Sequence, residues 1–539
     1  MRRLGFDIVI RKGRIYDGTG NSWFKADIGI GEGKITRLSR VPLKEADRVI
    51  DASGLVVSPG FINLHSHTDS TIQVHNCAEN CLAMGLVTEG IGNCGSSSAP
   101  ITEKYREVLR ERMRGRALGE VEIDWLSLSE WLDRLEKRGI GINIAPYVGH
   151  GTVRASVMGP EGKGGERPTP TEEELEEMKS LVEGAMEDGA FGLSTGLIYA
   201  PGRNAQTEEI VDLCKVVARY GGIYASHIRN EGDRLIESVW EFLEICEKAG
   251  VRGTIAHHKA AGRNNFGKVN ETLRLVDRAR KRGIEVMIDQ YPWRIGGTTK
   301  SLGSRFRDAA PNRKELLELL RDEKRWGKLK AEQKDRPAGG TIVGSRSHPE
   351  LEGKTFEEAA EALGVEDVWE GIRRVLLDDE GYTTSGGIPF SEEDIITVMK
   401  HPLTAISTDQ YAMDSSKVTL SQLADDLSIP HPRGWGTYPK FLGKYVREEG
   451  VLTLEDAIRK VTSLPAQFLG LEDRGLIKEG FWADIVIFDP EKVANRATYR
   501  DPLQYPVGIP WVIVNGRIAV DEGRHTGALA GRVLRHRAQ

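Results

Sequence analysis

A (β/α)₈ barrel of the TIM type, flanked by a small β-sandwich unit built from both chain ends, is the α/β fold that this 539-residue sequence predicts. Three observations carry it. Eight short apolar segments occur at residues 60–64, 86–93, 142–148, 191–195, 223–226, 253–256, 284–289 and 404–408. Amphipathic helical stretches precede most of them, at 126–137, 173–188, 208–219, 235–248 and 270–282, and each stops at a glycine: Gly139, Gly189, Gly221, Gly250 and Gly283. Glycine ends a helix in the left-handed conformation at no steric cost, so the repeat reads helix, stop, strand. The segments are apolar on both faces, as strands of a helix-covered parallel sheet are, and eight of them suit a closed barrel. A doubly wound open sheet is the alternative.

In chain order, residues 5–56 hold short strands at 6–11, 13–16, 26–30, 33–38 and 48–52, separated by turns at Asp17-Gly18-Thr19-Gly20 and Gly31-Glu32-Gly33. This predicts an antiparallel β unit. The same texture returns at 475–489 and 512–520. The expected division is therefore 1–57 and 475–539 for the small β domain and 58–474 for the barrel. A charged gap from about 298 to 395 separates the seventh and eighth barrel segments. Within it, residues 299–345 are read as an insertion over one barrel end, a candidate lid.

Formal charge is 74 − 80 = −6, and basic residues cluster only in the last stretch, 532–537. Nucleic acid is not an expected partner. No apolar run is long enough to span a bilayer, and no secretory core follows Met1, so a cytoplasmic protein off the membrane is expected. The five cysteines, Cys77, Cys81, Cys94, Cys214 and Cys246, form no disulfide pattern and suit a reducing compartment. Cys77 and Cys81, four apart, are expected on one face of a helix as buried small hydrophobes.

In such a barrel, chemistry sits at the C-terminal ends of the strands. Those ends carry His65 and His67 after the first segment, Cys94 after the second, His150 after the third, His227 after the fifth and His257 with His258 after the sixth. Tyr291 follows the seventh and Asp409 the eighth. Residues i and i+2 of a strand point the same way, so His65 and His67 can aim both imidazoles at one point. Imidazole, thiolate and carboxylate together suit zinc better than a hard cation, and Cys94 would serve as the thiolate. His258, beside His257, points to the opposite face and into packing. Asp69 is read as a cap or a partner behind a ligand.

These residues carry a resemblance. The sequence resembles the amidohydrolase superfamily and, more narrowly, the D-aminoacylases, which are N-acyl-D-amino-acid deacylases. The matching pieces are the stretch 60–69 with its His65-Ser66-His67, Gly92-Asn93-Cys94-Gly95, the stretch 192–197, Ser226-His227-Ile228-Arg229-Asn230-Glu231, His257-His258-Lys259, Asp409, the stretch 431–439 beginning His431-Pro432-Arg433, and the terminal 527–535. They span nearly the whole chain. The histidine pair marks the superfamily, whereas Cys94 and the His431-Pro432-Arg433 segment mark the narrower branch.

Most binuclear amidohydrolases bridge their metals with a carboxylated lysine at the end of the fourth strand. Here that strand ends Gly192-Leu193-Ser194-Thr195-Gly196, without lysine or glutamate. The resemblance implies Cys94 as the substitute, one tightly held Zn²⁺ on Cys94, His227 and His257, and a weaker second position on His65, His67 and Asp409 with Cys94 shared. It implies zinc-dependent hydrolysis of N-acyl-D-amino acids to a carboxylate and a free D-amino acid. Zinc lowers the pKa of a bound water towards about 7. Asp409 is the implied catalytic base and acid, taking the proton of the attacking water and delivering it to the leaving amine.

Arg433 can hold the substrate carboxylate bidentately. Lys259 and Tyr291 are the further anchors the resemblance implies. Tyr199 is read as pocket wall, and His150 either as pocket or as a structural cap. The expected partner is a small N-acyl amino acid, and an oligomer stays open. The alternatives are a cyclic-amide hydrolase of the hydantoinase or dihydroorotase kind, or a deaminase, and a non-catalytic binding protein. Two departures, a long stretch between Asp409 and Arg433 and the segment 293–298, border the substrate and leave side-chain preference undetermined.

Overall fold

The punctuation of helix, glycine and strand folds as it reads. Helix Leu128–Arg138 starts with a capping box, in which Ser127 and Glu130 satisfy each other's backbone N–H groups, and stops at Gly139. Helix Leu235–Ala249 stops at Gly250, whose φ of 66° is left-handed. The computed structural model describes the chain except residues 1–4, 45, 118, 160–166, 168, 297–299, 333–338, 388 and 538–539.

Eight strands, Phe61–Asn63, Leu86–Ile91, Asn143–Gly149, Gly192–Gly196, Ile223–His227, Arg252–Ile255, Val286–Gln290 and Thr404–Ile406, pair in sequence order. Every pairing is parallel. The first and last strands are short, and the ring closes just beyond them. Ser66 and Gln410 form a parallel bridge; His67 N donates to Gln410 O at 2.8 Å and Asp409 N to His65 O at 3.0 Å. The closure thus runs through the residues read above as metal ligands, and it disposes of the open-sheet alternative. Beneath it, inward-facing Ile62, Ala145, Phe191, Ala225 and Met287 pack against Leu464, Phe468 and Leu469 of helix Ser463–Leu469.

The chain ends build two further sheets. One joins Lys34–Ser39, Asp27–Gly31, Phe6–Arg11 and Ala46–Asp51; the other, of seven strands, combines Arg14–Ile15, Phe24–Lys25 and Val56–Pro59 with Ile485–Phe488, Trp511–Val514, Arg517–Asp521 and Arg524–His525. Isoleucines dominate the core between them, including Ile8, Ile28, Ile30, Ile50, Ile485 and Ile513. The unit is not purely antiparallel as expected. Phe6–Arg11 pairs parallel with Ala46–Asp51, and Arg14–Ile15 parallel with Val56–Pro59. The hairpin of Asp27–Gly31 and Lys34–Ser39 supplies the crossover that parallel pairing needs. Nor does the chain end stay with the small sheet: Gly531 N donates to Ile140 O, Ile144 N to Arg532 O and His536 N to Gly189 O, so the tail lies against the barrel.

Between the seventh and eighth barrel strands, Lys300–Ser301, Thr341–Gly344 and Thr384–Gly386 form a small antiparallel sheet. Its helices share a core of Leu302, Phe306, Leu316, Trp326, Phe356, Ile372 and Leu376. This unit continues past residue 345 because helices Phe356–Ala362 and Val368–Asp378 contribute part of that core. Of the expected stretch 299–345, residues 299 and 333–338 lie outside the described residues. Among the described residues, no helix is long and apolar enough to cross a membrane.

Candidate metal centre

Cys94, His257 and Asp409 each sit just past a strand end with positive φ, at 52°, 34° and 48°. Side-chain-bearing residues hold such conformations at a cost of roughly 1–3 kcal/mol each, only where surrounding contacts enforce them. Here they do. The Asp409 backbone is pinned to His65 across the closure, and His257 N donates to Asp289 Oδ1 at 2.9 Å. The Cys94 turn is held by Asp69, which accepts from Gly92 N at 3.1 Å, and by Ser194 Oγ, which accepts from Gly95 N at 3.1 Å. Asp69 therefore acts on the turn rather than as a donor to the cluster.

The result is a cluster centred on sulfur. Cys94 Sγ lies 3.2 Å from His65 Nε2, 3.4 Å from His257 Nε2 and 3.5 Å from His227 Nδ1. Asp409 Oδ1 lies 3.1 Å from His67 Nε2 and 3.5 Å from His65 Nε2. Two overlapping donor sets follow, His65, His67, Cys94 and Asp409 on one side and Cys94, His227 and His257 on the other, each with donor atoms within 4.8 Å of one another. Donors 2.0–2.3 Å from a tetrahedral zinc stand about 3.5 Å apart, so spacing and donor chemistry both fit that ion. Charge fits as well. Burial opposes ionisation of Cys94, but the His65 and His257 imidazoles bring its pKa well below the usual thiol range. Burial likewise opposes charge on Asp409, and Arg433, then His257, hold it well below the usual carboxylate range.

Two carboxylates not singled out from the sequence stand behind the histidines. Asp289 Oδ2 lies 3.4 Å from His65 Nδ1, and its Oδ1 accepts from Ser407 Oγ at 2.5 Å. Glu231 Oε1 lies 3.1 Å from His257 Nδ1, 3.5 Å from His227 Nε2 and 2.5 Å from Lys259 Nζ. The spacing of Glu231, four residues after His227 in a motif already noted, was a usable signal. Asp289 had none beyond lying two residues before Tyr291.

Arg433 lies beside the cluster. One of its nitrogens, Nη2, meets Asp409 Oδ2 at 2.9 Å, and the guanidinium stacks 4.6 Å from the Tyr291 ring centre. Its Nε and Nη1, and the Tyr291 hydroxyl, are buried without a hydrogen-bond partner among the described residues. Lys259 is engaged by Glu231 and stands 2.8 Å from His257 Nδ1. Tyr199 packs edge-on against His227, 4.8 Å between ring centres, on the wall of a cavity of about 1480 Å³ over the cluster. That wall also includes Tyr105, Val108, Ile198, Phe390 and Leu427.

His150 is not brought to that wall. Its Nε2 stands 2.8 Å from Glu209 Oε1, which also accepts from Arg154 Nε at 3.0 Å, all three residues being buried. The cluster ties helix His150–Met158 to helix Thr207–Arg219. The pairing with Glu209 is what the structural-cap reading of His150 expects. His258 is buried, as expected, against Thr272 Oγ1 at 2.7 Å. Cys77 departs from expectation: it precedes the short helix Glu79–Ala83 and is only partly buried, while Cys81 lies within it and is buried.

A barrel with such a cluster at its strand ends belongs to a known class. The amidohydrolase family model matches residues 48–231 and 397–520, and the chain belongs to that family. Over 98% of its length the chain is 32% identical to D-aminoacylase of Alcaligenes xylosoxydans xylosoxydans, covering 97% of that protein. It is 33% identical to N-acyl-D-aspartate deacylase of the same organism, over 98% of this chain and 95% of the relative. Among solved structures, N-acyl-D-glutamate deacylase from Bordetella bronchiseptica, in complex with zinc and a phosphonate mimic of the reaction's tetrahedral intermediate, superposes with a TM-score of 0.76 at 31% identity, covering 98% of this chain and all of that one. A D-hydantoinase shares the fold at a TM-score of 0.57 and 16% identity.

Proposed function

We propose that this protein is a zinc-dependent N-acyl-D-amino-acid deacylase, hydrolysing a linear amide to a carboxylate and a free D-amino acid. The observation that carries this reading is the pair of buried, unpartnered Arg433 nitrogens beside an unpartnered Tyr291 hydroxyl, next to a sulfur, nitrogen and oxygen donor cluster. Buried donors left unpaired are costly, so an anionic acceptor such as a carboxylate is the group this cradle fits. The full-length likeness to D-aminoacylase and to a zinc-bound deacylase supports the same substrate class.

Cys94, His227 and His257 would hold a tightly bound zinc, with His65, His67 and Asp409 forming a second, weaker position. When bound, zinc supplies Lewis-acid chemistry, activating water and polarising the amide carbonyl. The chain's own residues do the rest. Asp409, held ionised, accepts a proton at its carboxylate and passes it to the amine nitrogen, which leaves poorly until protonated. Arg433 and Tyr291 hold the substrate carboxylate and so fix where the scissile carbonyl lies. Tyr199 forms part of the wall that narrows the mouth above His227. A small-molecule substrate and a cytoplasmic setting accompany this reading, the latter supported by five free cysteines.

The test is hydrolysis of paired N-acetyl-D- and N-acetyl-L-amino acids by zinc-loaded protein. Turnover confined to the D-series is expected, and equal rates on both would remove the stereochemical part of the proposal.

A further inference from the structure

The two imidazoles of the Cys94, His227 and His257 set meet the sulfur through different ring atoms, Nδ1 of His227 and Nε2 of His257. Each ring therefore turns its other nitrogen away from the donor cluster, and both of those nitrogens face one carboxylate oxygen, Glu231 Oε1, at 3.5 and 3.1 Å. The same oxygen receives Lys259 Nζ at 2.5 Å.

The position of Lys259 poses a problem that Glu231 answers. Its ammonium lies 2.8 Å from His257 Nδ1. An ammonium has three hydrogens and no lone pair, so it can only donate. If it donated to Nδ1, the neutral ring would carry its hydrogen on Nε2, where a metal needs a lone pair. An acceptor placed between them reverses this arrangement: it takes one hydrogen from Lys259 and one from His257 Nδ1, leaving Nε2 bare. Glu231 is within reach of both, whereas His227 Nε2, 3.5 Å from the same oxygen, makes no hydrogen bond to it.

We propose that Glu231 is a positioning residue that sets the ring tautomer of His257 for metal binding and diverts Lys259 from His257 Nδ1. Lys259 is then held in this arrangement on the wall of the cavity it lines. The inference rests on the zinc reading of the centre but goes beyond the ligands themselves, since it concerns which nitrogen of His257 is available.

The experiment measures zinc affinity by competition with a chromophoric chelator, and the visible spectrum of the cobalt-substituted protein, for four forms: wild type, Glu231→Gln, Lys259→Met and the double variant. Glu231→Gln is nearly isosteric and is expected to weaken zinc binding by about 10–100-fold, the usual cost of losing a partner behind a ligand, and to perturb the cobalt spectrum. Lys259→Met alone is expected to bind zinc as wild type does. In the double variant the amide oxygen at position 231 faces no competing ammonium, so affinity is expected to return to within about threefold of wild type, and the cobalt spectrum with it. Wild-type affinity in Glu231→Gln, or no recovery in the double variant, would overturn the proposal. Circular dichroism of each form separates either result from misfolding. A wild type that binds zinc but leaves N-acyl-D-amino acids intact would sink the deacylase reading while leaving this one standing.

Discussion

His227 and His257 reach Cys94 from the fifth and sixth strands with Glu231 behind both rings, whereas His65, His67 and Asp409 come from the two strands that close the barrel. In the first half each histidine meets the sulfur through one ring nitrogen. In the second, the carboxylate is divided: Asp409 Oδ1 faces the histidines while Oδ2 is engaged by Arg433 at 2.9 Å. A metal on that side would compete with the residue proposed to move a proton. The difference teaches that sharing one sulfur does not make the halves equivalent, and that the half serving proton transfer is the one expected to hold its metal less firmly.

Removing the shared donor gives the largest effect. Cys94→Ala is expected to strip zinc from both sets and to lower kcat/KM by on the order of 10³-fold or more, since the several kcal/mol a Lewis acid supplies go with it. Metal content measured alongside would place His227→Ala close to Cys94→Ala and leave His67→Ala with its first zinc. If His67→Ala emptied the protein as completely, the contrast between the halves would collapse. Next, Asp409→Asn is expected to keep zinc and lose about 10²-fold or more in kcat, the share of general acid–base catalysis; a near-normal rate would remove Asp409 from proton transfer.

Arg433→Lys keeps the charge but not the fork. The loss of a bidentate, charge-assisted contact of roughly 1.5–3 kcal/mol corresponds to about 10–150-fold in kcat/KM, read mainly in KM on N-acetyl-D-amino acids. An unchanged KM would place the substrate carboxylate elsewhere.

The smallest effect lies behind the site. Burial, reinforced by the Lys259 charge, pushes His258 down to about 3. A histidine whose folded pKa is depressed binds its proton more readily unfolded, so stability is full above about pH 6.5 and falls as pH drops towards 3. The slope is about 1.4 kcal/mol per pH unit at most. His258→Gln, which can still hydrogen-bond Thr272, is expected to flatten the acid side of a Tm-against-pH curve. An unaltered slope would assign the acid sensitivity to other groups.

Much of the centre was legible because its signals are local. His65 and His67 are two apart on a strand, and Cys94, His227, His257 and Asp409 each end an apolar segment followed or preceded by recognisable punctuation. Asp289 was not legible as a partner, because nothing in a lone acidic residue says which ring nitrogen it will face, and the spacing of Glu231 from His227 gave its place but not its approach to His257. His150 stayed open between pocket and cap for the same reason: its strand-end position matched the others, and its pairing with Glu209, 59 residues away, has no local signal. The inserted unit was cut short at 345 since its core pairs Leu316 and Trp326 with Phe356 and Ile372, helices whose own patterns do not announce a shared interior.

Periodicity along the chain, two for strands and between three and four for helices, was by itself enough to locate the eight strands and the donor residues at most of their ends, because those rules act between near neighbours. Tertiary structure alone decided that Cys94 meets His227 across 133 residues at 3.5 Å, that the ring closes through His65, His67 and Asp409, and that Arg433 divides the carboxylate of Asp409. Those outcomes depend on distance and orientation between strand ends, which only closure of the barrel establishes.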